Sequence, residues 1–442
     1  MRIIDNVATA KSTVLKRSAD RSVELPEKVK ERITVAFGEE LTAEEAVARI
    51  AEDIRAQGDK ALYEYLWKLD GVKPDHLEVP ADRISAARAE VEKGLLDSLA
   101  FAAGRISGFH NKQLKSLPVG ETWLGNGVGQ VLAPVQRVGV YAPGGTASYP
   151  STVLMTAIPA RVAGVEEIIL VTPPQQDGNI PALTLVAAEI AGVDRVFTLG
   201  GAAAIAALAF GTESVPRVDK ICGPGNIFVM LAKKYVVGTV GIDGLQGPTE
   251  TLVLADDSAN PGSCAADLIA QAEHDEMSSA IMVTTSGVLA EAVNREVERQ
   301  LAGLSRGEIA GKSLDQRGGI VVAAGMDEAV ELVNEYAPEH LCLLTRNPEE
   351  LAPRLKHCGG IFIGESSPEV LGDYVAGPSH VMPTGGTARF SSPLNILDFL
   401  KVTSLVALDD GQFGELSTHA VNIARAEGLT AHVEAIRKRQ GR

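Results

Sequence analysis

The sequence is poor in aromatic residues and in cysteine. Phe, Trp and Tyr make up 4% of the 442 residues, whereas the chain has 44 glycines. Abundant small residues suit tight turns and close packing of helices on sheets. The four cysteines form no Cys-x-x-Cys pair, so we expect buried free thiols in a reducing compartment and a cytoplasmic enzyme. They are Cys222, Cys264, Cys342 and Cys358.

Positive charge and long apolar runs are also scarce. The formal net charge is −16, and the one basic cluster is the tail 437–442. A nucleic-acid or anionic membrane partner is therefore not expected, because phosphate binding requires a basic face. The start of the chain lacks the apolar core of a signal peptide. The most apolar stretch, 196–210, contains two glycines and falls short of the roughly 20 residues that span a bilayer.

What the chain does have is a regular alternation of predicted strands and helices. Thr42 and Glu45 form a capping-box pattern, and apolar spacing predicts helices over 42–69 and 85–110. Apolar strands alternating with helices begin at residue 138 and again at residue 251. This predicts an α/β fold with doubly wound parallel sheets in two units of similar build. After residue 393 the strand signals weaken, and 413–441 is predicted to be mainly helical.

Gln271 and His274 are the first pair that suggests a site. If 263–274 is a helix, residues three apart share one face at its C-terminal end. An amide oxygen and an imidazole nitrogen there can bind one hard or borderline cation. Taken alone, the pair is more typical of a surface Gln and of a His stabilised by the helix dipole.

Glu339 and His340 are adjacent and follow Pro338. A carboxylate beside an imidazole provides two proton acceptors with different pKa values, which suits chemistry with several proton transfers. The simpler interpretation is an exposed Glu and a His at a turn, and spacing alone favours it.

Three further residues are candidates on weaker grounds. Asp373 lies beyond a predicted strand, 360–363, and sites in open α/β sheets gather at the carboxyl ends of strands; an Asx turn is the alternative. His380 is a loop imidazole that either contacts substrate or satisfies backbone groups. In the tail, Glu427 and His432 flank a glycine break, and a helix start near residue 431 would place His432 in a first helical turn.

Two Gly-rich loops each lie between a predicted strand and a predicted helix. One is Tyr141-Ala142-Pro143-Gly144-Gly145 and the other is Gly223-Pro224-Gly225-Asn226. Backbone N–H groups at a helix N-terminus favour phosphate. Neither loop is the Gly-x-Gly-x-x-Gly fingerprint of dinucleotide sites, so a plain tight turn is an equal interpretation.

Taken together, these runs resemble the histidinol dehydrogenase family. The resemblance extends from about residue 44 to residue 432. Each motif is weak alone, but their order and spacing along the chain are specific. The stretches that carry the resemblance are 138–146, 199–220, 223–226, 271–275, 336–341, 372–394 and 427–432.

The resemblance implies a body of two incomplete Rossmann-like units, with a helical N-terminal region and a helical C-terminal tail. We assign residues 1–30 to an N-terminal extension and residues 31–137 plus 249–394 to the first α/β unit. Residues 138–248 form the second unit. The resemblance implies that residues 395–442 form a tail exchanged between the subunits of a homodimer, as suits a segment too short to hold its own core.

The family's zinc site and reaction are also implied. One Zn²⁺ per subunit would be held by Gln271, His274, Asp373 and, from the other subunit, His432; Mn²⁺ also suits such a donor set. The reaction oxidises L-histidinol to L-histidine through bound L-histidinaldehyde with two NAD⁺. His340 would take the alcohol proton and Glu339 would activate water, while zinc orients the substrate.

The ligand contacts implied by the resemblance form two sets. Those for the substrate are Thr249, Gln271, His274, His340, Asp373, Glu427 and His432. Those for the cofactor are at Tyr141, Ala203 and Asn226.

The sequence departs from the family at two places. Ala203 stands where the family commonly has a nucleotide-contacting Gln, and each lost hydrogen bond is worth on the order of 1 kcal/mol. Gln246 and Thr249 stand in a run that is usually Ala-Gly-Pro-Ser-Glu, although Thr249 keeps the hydroxyl. These departures leave open a related dehydrogenase acting on another small alcohol, such as a sulfonated diol. A non-catalytic metal- or ligand-binding homologue is hard to reconcile with an intact Glu339-His340 pair.

Overall fold

The computed structural model describes residues 1–17, 27–120, 122–144 and 148–440. Parts of the predicted N-terminal extension, of the Gly-rich loop that follows Tyr141 and of the basic tail lie outside the described residues. The chain divides into two compact units. One comprises Met1–Lys112 and Val135–Phe399, and the other comprises Gln113–Pro134 and Leu400–Arg442. Among the described helices, none is long and apolar enough to cross a membrane.

The secondary structure mixes strands and helices along the whole chain. The strands are β1 (Ile3–Ile4), β2 (Thr122–Gly125), β3 (Val128–Pro134), β4 (Arg137–Tyr141), β5 (Glu167–Thr172), β6 (Arg195–Thr198), β7 (Lys220–Cys222), β8 (Gly241–Ile242), β9 (Glu250–Ala255), β10 (Ser279–Thr284), β11 (Gly319–Val322), β12 (His340–Leu344), β13 (Gly360–Ile363) and β14 (Leu400–Val406). The α-helices are α1 (Val7–Ser12), α2 (Glu27–Phe37), α3 (Ala43–Gln57), α4 (Asp59–Tyr65), α5 (Ala81–Ala86), α6 (Lys93–Lys115), α7 (Pro150–Ala163), α8 (Ala182–Ala191), α9 (Gly201–Phe210), α10 (Ile227–Val236), α11 (Pro261–Ala272), α12 (Gly287–Leu301), α13 (Gly307–Gln316), α14 (Met326–Tyr336), α15 (Pro348–Leu351), α16 (Glu369–Tyr374), α17 (Asp410–Ala426) and α18 (Thr430–Arg437).

A five-stranded sheet in the larger unit is wholly parallel, with the order β6-β5-β4-β7-β8. Helix α9 packs on it through a run of buried alanines. The approach is close, since a Cβ on Gly139 of β4 would lie 2.6 Å from Leu208 Cδ1. Small residues therefore fill this core where larger side chains would not fit, which is consistent with the low aromatic content.

A six-stranded sheet in the same unit is also parallel, with the order β1-β11-β10-β9-β12-β13. All six residues of β9 are buried, as expected for a central parallel strand. The register pairs His340 with Thr251 on one side and with Gly360 on the other. The starts of β9, β12 and β13 thus lie side by side, and we call this the amino edge.

The smaller unit contains a three-stranded antiparallel sheet with the order β14-β3-β2. Its helices α17 and α18 share a small core of Val421, Ala424 and Val433. Residues 113–134, which we assigned to the first α/β unit from sequence, group here with the C-terminal residues, because their strand β3 pairs with β14. Strand pairing over the seven residues of β14 is the physical reason for that grouping.

The predicted α/β fold with parallel sheets is confirmed, as is the capping box of Thr42 and Glu45 at α3. Local details differ from the sequence-based expectations. The single helix over 85–110 is broken by an extended residue, Val91. The region after residue 393, where strand signals weaken, still contains the strand β14 before its helices. The N-terminal region is helical as predicted and adds the two-residue edge strand β1.

Candidate active site

The amino edge collects polar side chains from three segments. Thr249 Oγ1 lies 2.7 Å from Glu339 Oε2 and 2.9 Å from Gln271 Oε1. Glu339 Oε2 also accepts from the backbone N–H of Glu250 at 2.9 Å. Because one hydroxyl proton cannot serve two acceptors, the shorter bond to the carboxylate takes it. The oxygen of Gln271, a residue only 2% exposed, is then left short of a donor.

His340 lies at the start of β12 and is buried. Its Nδ1–H donates to the carbonyl oxygen of Glu250 at 3.2 Å, and its Nε2 lies 3.4 Å from Asp373 Oδ1. The ring stacks on Phe362. Burial lowers the pKa of His340, but the charge of Glu339 and the bond to Asp373 outweigh it, so the pKa lies well above its ordinary value. The bond from Nδ1–H to Glu250 turns Nε2 toward Asp373, and the raised pKa means that Nε2 carries a proton while it faces that carboxylate.

The backbone before this pair is held in an uncommon conformation. Ala337 has a φ of 54°, which is unusual for a residue with a side chain. Arg17 donates to its carbonyl oxygen and forms a two-bond ion pair with Glu250. Gly359 allows a close approach as well, since a Cβ there would lie 2.5 Å from the carbonyl oxygen of Glu339. The segment that carries Glu339 and His340 is therefore fixed from both sides.

Two helices bring the predicted metal ligands to the amino edge. A helix that follows a parallel strand runs back along the sheet, so α11 and α16 end where β9 and β13 begin. Gln271 lies in the last turn of α11, and His274 lies two residues beyond that helix and is exposed. Asp373 lies in α16, so the alternative of an Asx turn is wrong.

The electrostatics of these ends suit a cation. Helix C-termini carry partial negative charge. Burial raises the pKa of Asp373. The hydrogen bond and charge of His340, together with the charges of His380 and His274, lower it by more, so the pKa lies below its ordinary value. An amide oxygen, an imidazole and a carboxylate are donors that zinc accepts. Among the described residues, no three His, Cys, Asp or Glu side chains come together as a complete metal site.

Buried acids lie beneath this edge. Glu369, one helical turn before Asp373, is fully buried, and its Oε2 accepts from the Thr251 hydroxyl at 2.7 Å. Burial raises the pKa of Glu369 to about 8 and that of Asp267 to about 6. Cys342 contacts Glu369, and burial raises the pKa of its thiol well above the ordinary value.

His380 is used by the protein itself. Its Nδ1–H donates to the carbonyl oxygen of Asp373 at 2.8 Å, and its Nε2 lies 3.4 Å from the Thr152 hydroxyl. Burial lowers its pKa. His380 therefore does satisfy a backbone group, and its contact with substrate stays a prediction.

Glu427 and His432 belong to the smaller unit. Glu427 is the C-cap of α17, and His432 lies in the first turn of α18, which begins at Thr430 close to the predicted position. Both side chains are exposed.

The residues matched to a cofactor lie at the carboxyl ends of the five-stranded sheet. Its strand order reverses between β4 and β7, and ligands of such sheets bind at that crevice. Tyr141 ends β4; its hydroxyl accepts from the N–H of Gly201 at 3.2 Å, and burial raises its pKa to about 12. Ala203 lies in the first turn of α9 and is 6% exposed. Asn226 is exposed and caps α10 through its amide oxygen.

Sequence reasoning missed three residues of the amino edge. Arg17 and Glu250 form the ion pair beside Glu339, and no local pattern links residues that are 233 positions apart. Glu369 had a usable signal, because it precedes Asp373 by four residues and so shares its helix face. The expectation that Asp373 belongs to the carboxyl end of a strand was also wrong, since it lies 3.4 Å from the residue that starts β12.

The comparisons with known proteins point to one family. The family model described as histidinol dehydrogenase matches residues 36–440. A histidinol dehydrogenase of Dehalococcoides mccartyi is 55% identical over 397 residues, covering 90% of each chain. Another, from Deinococcus radiodurans, is 49% identical and covers 94% of this chain and 95% of its own. The crystal structure of the enzyme from Elizabethkingia anophelis superposes with a TM-score of 0.88 at 33% identity, covering 100% of this chain and 98% of that one.

Proposed function

Because this chain belongs to the histidinol dehydrogenase family, we propose that it oxidises L-histidinol to L-histidine with NAD⁺ as the hydride acceptor. The reaction would complete histidine biosynthesis and pass through bound L-histidinaldehyde. One observation carries the proposal. The amino edge brings a buried base, a second carboxylate and three metal-compatible donors from distant parts of the chain to adjoining positions.

His340 is the proposed base for the alcohol proton. Its Nδ1–H is committed to the carbonyl oxygen of Glu250, which orients Nε2 for proton transfer. Burial and stacking on Phe362 keep the ring in one orientation. Asp373, when it serves as a metal ligand, would no longer hold a proton on Nε2, so a neutral Nε2 can take the hydroxyl proton while the carbon-bound hydride goes to NAD⁺.

Glu339 is the proposed base for the water that hydrates the aldehyde. Its Oε2 is held by Thr249 and by the N–H of Glu250, so Oε1 is the oxygen left to accept a proton from water. The hydrate then has a second hydride to lose, which explains the need for two NAD⁺. The proton that His340 took from the alcohol goes to the carbonyl oxygen as the hydrate forms, so His340 is again neutral and can take the hydroxyl proton of the hydrate.

The donors on α11 and α16 fit zinc. Gln271, His274 and Asp373 would hold it, and its bound charge would orient the imidazole and amine of the substrate. The buried oxygen of Gln271, which is left short of a donor when the Thr249 hydroxyl donates to Glu339, supports this fit. We propose that His432 of a second subunit supplies the fourth ligand, so that the site is complete in a homodimer.

The remaining assignments follow from the family and complete the proposal. Thr249 and Glu427 would contact the substrate, together with the metal and proton-transfer residues. NAD⁺ would bind at Tyr141 and Asn226, where the β4/β7 crevice and the N-terminus of α10 favour a pyrophosphate. Free rather than paired cysteines support a cytoplasmic location.

The direct test is to incubate zinc-loaded protein with L-histidinol and NAD⁺ and to follow NADH and histidine together. We expect both products to form. Turnover of another small alcohol, such as a sulfonated diol, without turnover of histidinol would contradict the substrate but keep the reaction class. Absence of NADH with every alcohol, despite bound zinc, would contradict a dehydrogenase. An exposed-residue variant, His76→Asn, is a matched control for preparation and metal loading.

A further inference from the structure

A buried lysine, Lys233, contacts both the loop 223–226 and the segment 244–249. Lys233 lies in α10 with its side chain 1% exposed, and it pairs with Asp243, which is 2% exposed. Its Nζ donates to the carbonyl oxygen of Gly223 at 2.6 Å and to the amide oxygen of Gln246 at 3.0 Å. An ammonium group has three donors, and each has an acceptor here. A buried charge of this kind is retained only when it is fully paired.

One side of the network fixes the loop 223–226. Gly223 is bound at both backbone groups, because its carbonyl accepts from Lys233 and its N–H donates to Asp243 Oδ2 at 2.8 Å. It has a φ of +112°, and a Cβ would lie 2.1 Å from the carbonyl oxygen of Tyr141. The loop is thus pressed against the end of β4 at the crevice between β4 and β7.

The other side of the network fixes the segment 244–249. Gln246 is the residue through which Lys233 reaches it, and the next residue, Gly247, donates to the Thr384 hydroxyl at 2.7 Å. The segment ends at Thr249, whose hydroxyl contacts Glu339.

We propose that Lys233 is a positioning residue that, through Gln246, couples the nucleotide loop 223–226 to the substrate-side segment 244–249. Any ligand that shifts one segment changes the hydrogen bonding of the shared ammonium and so shifts the other. This inference rests on the proposed function, because it takes the loop 223–226 as a nucleotide contact.

The coupling is measured as the ratio of NAD⁺ dissociation constants without and with L-histidine, a product that does not react with NAD⁺. Calorimetry on zinc-loaded protein gives both values. For the unmodified chain we expect a ratio of about fivefold or more, the lower end of typical coupling. Gln246→Met keeps the length of the side chain and removes the acceptor, so its ratio should approach one. Gln246→Glu keeps an acceptor oxygen and should keep the ratio. If Gln246 had only a structural role, the two variants would change the ratio by the same amount.

A second variant measures the strength of the anchor. Lys233→Met removes all three donors, and we expect NAD⁺ to bind about tenfold more weakly, while the affinity for L-histidine changes less. If this variant fails to fold, the Gln246 pair still decides. An unmodified chain that oxidises histidinol, with the same ratio in Gln246→Met, would overturn the coupling alone. An unmodified chain that neither binds NAD⁺ nor oxidises histidinol would overturn the coupling and the proposed function together.

Discussion

Two edges of the larger unit differ in which ends of their helices they present. At the carboxyl edge of the five-stranded sheet, α9 and α10 begin, and their N-terminal N–H groups carry partial positive charge. At the amino edge of the six-stranded sheet, α11 and α16 end, and their carbonyl groups carry partial negative charge. The first edge suits an anion such as a pyrophosphate, and the second suits a cation.

The side chains at the two edges differ in the same sense. The carboxyl edge is shaped by glycines, alanines and a capping Asn, so that it presents mainly backbone groups to a ligand. The amino edge is lined by acids, imidazoles and an amide. In the proposed function, this α/β unit carries its proton-transfer residues at the edge opposite to the usual one, because helix C-termini return the necessary side chains to it. The predictions below break this contrast, starting with the largest effect.

The proton-transfer side of the contrast depends on His340. Replacing it with Asn keeps a polar side chain of similar size but removes the base, so we expect kcat to fall by about 10² to 10⁴. Zinc content should not change, because the proposed ligands are other residues. Loss of zinc from His340→Asn, measured by atomic absorption, would contradict its role as the base.

The buried acid Glu369 beneath the amino edge should make the free energy of unfolding depend on pH. The folded pKa of Glu369, about 8, lies above the ordinary value of 4.5, so its neutral form stabilises the fold below pH 4.5. That contribution is lost as pH rises toward 8, by at most about 1.4 kcal/mol per pH unit. In Glu369→Gln, the free energy of unfolding should depend less on pH between pH 5 and 8. Urea denaturation at several pH values measures this. An unchanged pH slope would show that Glu369 is ionised in the fold, and the exposed Glu349→Gln serves as the matched control.

Thr249 is expected to affect the substrate side more than the nucleotide side. Thr249→Val keeps the shape but removes the hydroxyl that holds Glu339, which we expect to lower kcat/KM for histidinol about tenfold. Thr249→Ser keeps the hydroxyl and should stay near the unmodified rate. Steady-state kinetics decide, and equal losses in the two variants would show that the methyl group, not the hydrogen bond, matters.

Asn226 gives the smallest expected effect, at the other edge. Asn226→Ser keeps an N-cap oxygen for α10 but removes the amide NH₂, so thermal stability should be nearly unchanged. The KM for NAD⁺ should rise about fivefold, the value of one hydrogen bond of about 1 kcal/mol. A raised KM for histidinol with an unchanged KM for NAD⁺ would contradict the assignment of Asn226 to the nucleotide site.

The sequence predicts those parts of the fold that rest on local patterns. The apolar runs of β4, β5 and β9, and the cap at Thr42, are recognisable because burial and capping leave short-range signatures. Strand β14 has no such signature, since most of it is exposed, including Val402 at 59%. Strand β1 has only two residues, which is too short for any periodicity.

The candidate site was less predictable for a different reason. The position of Gln271 and His274 near a helix end was predictable, because the helix pattern and the three-residue spacing are both local features of the sequence. Which sheet edge a residue reaches is not local, since it depends on strand order and on where helices return. The ion pair of Arg17 with Glu250 joins the two ends of a long chain segment, and only the folded register reveals it.

The central claim is that the amino edge performs two successive oxidations, with His340 serving both and Glu339 serving the second. The most direct test counts NADH formed per L-histidinol consumed in the unmodified protein and in Glu339→Gln. We predict two in the unmodified protein, and a value that falls toward one in Glu339→Gln, with aldehyde trapped by semicarbazide. Two NADH in both proteins would contradict the account.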